Sequence, residues 1–288
     1  MNIVLPPIEH NRAGFEHLVQ FYAQIQDTFL DSIEVAINGW FDADMCAPLG
    51  ALLYRLGTQA NSVQVNVPRA NVEKILTKNG FLSHYGRQRA RDTWETTIPY
   101  VRFDVTDDRY FSRYIEKHLV SRREIPAMSP GLLKRFRESV FEIFDNAVLH
   151  SQTQWGIFSC GQFFPTRQRI NFAIADLGIG IRRNIQEHLG LNMTADQAIQ
   201  WATEGQNTTK RAAIPGGLGL KLLREFIGMN GGGIQIVSDN GYWQQTGTQV
   251  TTALLSCPFP GTVVTLEIDT ADTKTYTLAA DLSPSDIF

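Results

Sequence analysis

Asp176 closes the stretch Arg169 to Ile181, which reads RINFAIADLGIGI. Ile170, Phe172 and Ile174 alternate with Asn171, Ala173 and Ala175, the period-two pattern of a strand with one face buried. Continuing the alternation puts Asp176 on the face of the three large apolar side chains, with its carboxylate directed toward the core. A buried carboxylate is costly unless it is hydrogen-bonded, so this position calls for a donor. Gly178 and Gly180 follow, removing side chains where something must approach the backbone. An inward acid followed by G-x-G describes a pocket for a planar ligand that carries hydrogen-bond donors.

Two other groupings carry chemistry. Glu142 and Asn146 are four residues apart and so stack on one face of a helix. Taken alone, that face reads as the wet side of a surface helix. Gly216, Gly217 and Gly219 lead into a helix bearing Leu220, Leu222, Leu223 and Phe226. A glycine-rich approach to a helix N-terminus suits an anion, because free N–H groups and the helix dipole both favour phosphate. Lys210, Arg211 and Lys221 are candidates for charge contact there, although a solvated role explains each of them as well.

The elements that must hold these groups can be read from periodicity. Phe15, Leu18, Val19 and Tyr22 predict an opening helix over Ala13 to Phe29. Ile33, Val35 and Ile37 mark a strand. Leu49, Leu52, Leu53 and Leu56 mark a helix entered at Pro48 and stopped at Gly57. Val63, Val65 and Val67 mark a second strand, and Val72, Ile75 and Leu76 a short helix ending at Asn79-Gly80. Strand, helix, strand, helix implies a parallel pair. Residues 84–96, HYGRQRARDTWET, read as a polar, locally basic linker. A strand over Ile98 to Val105 follows, and then a helix capped by Asp107 or Asp108 and running to about Val120.

Leu132 to His150 forms the second anchor. Val140, Phe141, Ile143, Phe144, Ala147 and Val148 fill one arc, and Glu138, Glu142, Asp145, Asn146 and His150 the other. His150 is given no catalytic role. Ile157–Phe163 and Arg169–Ala175 pair as a hairpin. Helices follow at Arg182–Leu189 and, capped by Thr194, at Ala195–Thr203. Residues 204–215 read as a loop. IQIVSDNGYW, TQVTTALL and GTVVTLEI read as three closing strands, and the last sixteen residues as a loose tail.

Composition bounds the function. The chain has 288 residues, 43% hydrophobic and 19% charged, with a net charge of −3. That is an ordinary globular balance, without the basic field that recruits nucleic acid or anionic membrane. No apolar run is long enough to span a bilayer, and the N-terminus lacks the pattern of a signal peptide. Cys46, Cys160 and Cys257 are far apart and odd in number, so neither a disulfide framework nor a zinc site is expected, and a cytoplasmic setting is.

E-x-x-x-N at Glu142–Asn146, D-x-G-x-G at Asp176–Gly180 and GGLGL at Gly216–Leu220 resemble, in this order, the N, G1 and G2 boxes of the GHKL superfamily. Its ATP-binding domain has the Bergerat fold, and the resemblance covers roughly residues 97–270. It implies an α/β architecture, an α+β sandwich, over 96–272, with ATP and Mg2+ as ligands and 273–288 as a tail. By this resemblance Asp176 accepts a hydrogen bond from the adenine amino group, and Gly180 lets the base lie close. Thr262, in the Gly-Thr that opens a late strand, supports Asp176. Asn146 completes magnesium coordination, Glu142 is the general base, Gly217 and Gly219 cradle the phosphates, and residues 204–219 form the ATP lid. Residues 1–95 loosely resemble the STAS fold of anti-sigma-factor antagonists, in element order and in the KNGF run at Lys78–Phe81. The first crossover helix opens Asp42-Ala43-Asp44-Met45-Cys46, with no hydroxyl for phosphoregulation. A plain α/β scaffold without a switch explains the same order.

Three purposes for ATP follow from the resemblance. One is a signalling or defence ATPase whose lid closure repositions the N-terminal module. Another is a serine/threonine kinase of the anti-sigma type, which EIFDNAVLH resembles. The third is a nucleotide-sensing interaction protein without turnover. In each, the N-terminal part or the lid meets another protein, and oligomerisation stays open. A histidine kinase is disfavoured, since no His opens an H-[ED]-x-x-[NT] run. P-loop, Rossmann and serine-hydrolase readings fail for want of their motifs.

Overall fold

The computed structural model describes residues 1–204, 218–278 and 281. The chain opens with β1 (Asn2–Leu5), α1 (Arg12–Ile25), β2 (Ser32–Ile37), α2 (Cys46–Thr58), β3 (Ser62–Asn66) and α3 (Ala70–Lys78). The three strands form a parallel sheet in the order β1-β2-β3. Asn11 caps α1 by accepting from the Gly14 N–H at 3.0 Å, and Phe15, Leu18, Val19 and Tyr22 are buried, as their spacing predicts. The sequence leaves the first residues unassigned, and they form a strand whose four residues are too few to show a period. The helix expected to run to Phe29 stops at Ile25, and Leu30 takes a positive φ of 54°. Gly57 lies inside the last turn of α2 and does not end it.

The second part holds β4 (Thr97–Phe103), α4 (Asp108–Ile115), α5 (Pro130–His150), β5 (Ile157–Phe164), β6 (Arg169–Asp176), α6 (Gly180–Leu189), α7 (Ala195–Thr203), α8 (Leu218–Asn230), β7 (Gly233–Thr246) and β8 (Gln249–Asp269). A one-turn π-helix, Glu116–Val120, continues α4. Five strands pair antiparallel in the order β4-β5-β6-β8-β7. The three predicted closing strands are two, because residues 256–261 continue β8. Pro258 and Pro260 flank Phe259, which pairs Asp239 at a register shift. Prolines are tolerated in a sheet where a bulge relieves them of ladder bonds.

One face of this sheet packs against α5 and α8, around Phe136, Phe144, Phe172, Phe226 and Trp243. The other face is covered too. α1 lies on β8, α2 lies on β5 and β6, and the parallel sheet closes the far side. β6 is therefore buried on both faces, not one. Ile170, Phe172 and Ile174 meet the α5 side, while Ala173 and Ala175 are small where the other layer packs. The stretch expected as a linker is tied down, since Asp92 takes Lys78 Nζ at 3.1 Å and the Thr97 N–H at 2.7 Å. The tail is anchored as far as Tyr276, which bridges Met128 and sets its ring against Phe226. Among the described residues no helix is long and apolar enough to cross a membrane.

Candidate functional site

Ser129 and Pro130 start α5, the Ser129 hydroxyl accepting from the Leu132 N–H and the proline occupying a first-turn position that needs no donor. Twelve to sixteen residues on, the helix presents Glu142 and Asn146 to a cavity of about 170 Å³. β6 delivers Asp176 to the same cavity from the sheet, and Ile174 and Val264 supply apolar wall beside it. The two anchors read from the sequence thus meet across one space. The far end of α5 is pinned to the turn after β6. Ile179 N–H donates to the Ser151 carbonyl at 2.7 Å, and Asn184 Nδ2 to the His150 carbonyl at 3.0 Å.

Asp176 is 4% exposed. Burial away from water pushes its carboxyl up to about 7, against the opposing pull of the Gly178 and Thr262 backbone N–H groups. The Gly178 N–H donates to Asp176 Oδ1 at 2.8 Å. A rise from 3.8 to about 7 corresponds to about 4 kcal/mol of disfavoured ionisation. The local donors do not balance the loss of water, so the carboxylate is poised for a further hydrogen-bond donor from the cavity.

Thr262 faces Asp176 directly in the β6–β8 ladder and lines the cavity. Its hydroxyl lies 2.9 Å from Ser238 Oγ, which also accepts the Ile181 N–H at 2.8 Å. Ser238 is a buried hub joining β7, β8 and the start of α6, and no pattern in the sequence marks it. Gly180 begins α6 at φ 76° and lines the cavity. Gly178 does not line it. A Cβ there would sit 2.1 Å from the Ser151 carbonyl oxygen, so its smallness serves the junction with α5.

His150, Asn184 and Trp201 also line the cavity, although no sequence motif marks them for it. Gly219 falls in the first turn of α8, beside the cavity-lining Leu220. Gly216, Gly217, Lys210, Arg211 and nearly all of the expected lid lie outside the described residues. Lys221 pairs with Glu225 at 3.9 Å on the exposed side of α8. Among the described residues, no group of three or more His, Cys, Asp and Glu side chains could hold a metal. Asn146 supplies a hard oxygen, which fits a magnesium ion that keeps most of its shell as water and phosphate. No family model matches this chain, and no curated protein matches it either.

Proposed function

We propose that the chain binds Mg-ATP in the Asp176 cavity and hydrolyses it, as a signalling or defence ATPase with a Bergerat-type domain behind a STAS-like N-terminal layer. One observation carries the reading: a buried carboxylate short of donors closes a cavity whose opposite wall bears Glu142 and Asn146. The Asp176 carboxylate accepts from the exocyclic amino group of adenine, with Thr262 and Ser238 holding its strand. Gly180 leaves the base room. Glu142 orients a water for attack on the terminal phosphate and takes its proton. Magnesium, when bound, neutralises phosphate charge, and Asn146 is the side chain placed to hold it. Turnover would be coupled to the N-terminal layer and to another protein docked there.

Incubation with γ-labelled ATP and magnesium tests this. Free labelled phosphate supports hydrolysis. Label on protein would favour the anti-sigma-type serine/threonine kinase, and neither product a nucleotide sensor without turnover. Asp176→Asn is expected to abolish ATP binding. Glu142→Ala is expected to keep binding and lower turnover by about 100-fold or more. Normal turnover in that variant would remove Glu142 as the base.

A further inference from the structure

A second hollow, of about 720 Å³, opens between the connecting stretch 89–97 and the π-helix turn that carries Lys117 and His118. Six Lys and Arg side chains line it against three carboxylates, on a chain whose net charge is −3. Lys78 is matched by Asp92 at 3.1 Å, and Glu124 is shared by Arg122 and Arg123 at 3.4 and 3.5 Å. Among the described residues Arg89, Arg91 and Lys117 have no carboxylate within ion-pair reach. The Arg122 side chain is 9% exposed; its Nε lies 3.4 Å from Glu124, off the hydrogen-bond axis, and its guanidinium donates to the Glu95 carbonyl, so it adds charge to the wall without offering a free edge. His118 reports the same field: burial first, then Lys117, Arg89 and Arg122, push its pKa down to about 4.

We propose that this hollow binds a compact anion bearing several phosphoryl groups, met by Arg89, Arg91 and Lys117 in front of the charge of Arg122. Low-dielectric walls concentrate the excess positive potential, and planar guanidinium forks match phosphate oxygens. A monoanion would leave most of that excess unbalanced. An extended nucleic acid would need basic groups spread beyond one hollow, on a chain that is acidic overall. Trp94, 80% exposed, lies between Asp92 and Glu95 in sequence, outside the lining of the hollow, and offers a face for a base that projects from it. The phosphoryl groups could come from inorganic polyphosphate or from the tail of a nucleotide.

The site does not depend on the ATP reading, and the test keeps the two apart. Inorganic tripolyphosphate and guanosine triphosphate are titrated calorimetrically into the full chain and into its Asp176→Asn variant at about 50 mM salt. Saturable tripolyphosphate binding is expected in both. The joint variant Arg91→Glu, Lys117→Glu changes two exposed side chains and should keep the unfolding temperature while weakening binding at least tenfold. Guanosine triphosphate binding more tightly than tripolyphosphate, and losing that margin in Trp94→Ala, marks a nucleotide as the source; equal binding marks the inorganic chain. Absence of saturable binding, indifference to the charge reversals, or loss of binding in Asp176→Asn alone would each overturn the proposal.

Discussion

At Asp176, the proposed ligand binding and stability pull in opposite directions. The native carboxyl titrates near 7, against 3.8 for an ordinary aspartate. Between those values the folded chain binds more protons than the unfolded one, so stability falls as pH rises through this window. Asp176→Asn removes the ionisable group. Its unfolding temperature should therefore exceed the parent's at pH 8, and the advantage should vanish by about pH 4, as thermal melts across that range would show. A variant that gains stability while losing ATP would mark the acid as kept for its ligand. The position was legible because three large apolar residues set the phase of β6 and the acid continued it. Ser238 and Asn184 were not legible. They act through hydrogen bonds to backbone groups far along the chain, and such pairings leave no periodic trace.

The elements show where a local pattern suffices and where distant packing decides. α5 appeared from Leu132 to its end because its apolar arc and its polar face agree, while its start at Ser129-Pro130 did not. The fusion of the last two predicted strands into β8 was hidden, since proline and glycine at 258–261 read as a break until their bulge is seen. The junction of α5 with the turn after β6 can be probed directly. Gly178→Ala places a methyl 2.1 Å from the Ser151 carbonyl oxygen, which must move and take the Ile179 bond with it. A loss of about 1–3 kcal/mol in denaturant unfolding is expected, together with weaker nucleotide binding as Asn146 and Asp176 part. In contrast, Gly57→Ala meets nothing within 4 Å and should stabilise α2 by up to about 1 kcal/mol.

The molecule as a whole is held by a polar clamp between its layers. His10 Nδ1 lies 2.6 Å from Asp44, both buried, while its Nε2 lies 3.3 Å from Thr265 of β8 and its carbonyl takes Gln235 of β7. Burial opposes charge on His10, but Asp44 outweighs it and raises the imidazole above its usual range. Such a pair stabilises fully below about pH 6.5 and loses its contribution as pH rises through the raised native value. His10→Ala strands Asp44 and should cost about 3–5 kcal/mol near pH 6, a gap that urea melts should find narrowing at higher pH. Element order announced two α/β parts, but not that they would share a core, because the residues that join them are spread from Phe15 to Val263.

That shared core also bears on how the chain is made. α1 rests on β8, and Arg12 reaches the Leu254 carbonyl across 242 positions of sequence. At a synthesis rate of roughly 5–20 residues per second, the first helix leaves the ribosome on the order of ten seconds or more before its seat exists. During that interval the part of its greasy side that meets β8 has no native cover, which makes the nascent chain a natural client for a chaperone and its dilute refolding a slow, concentration-sensitive process.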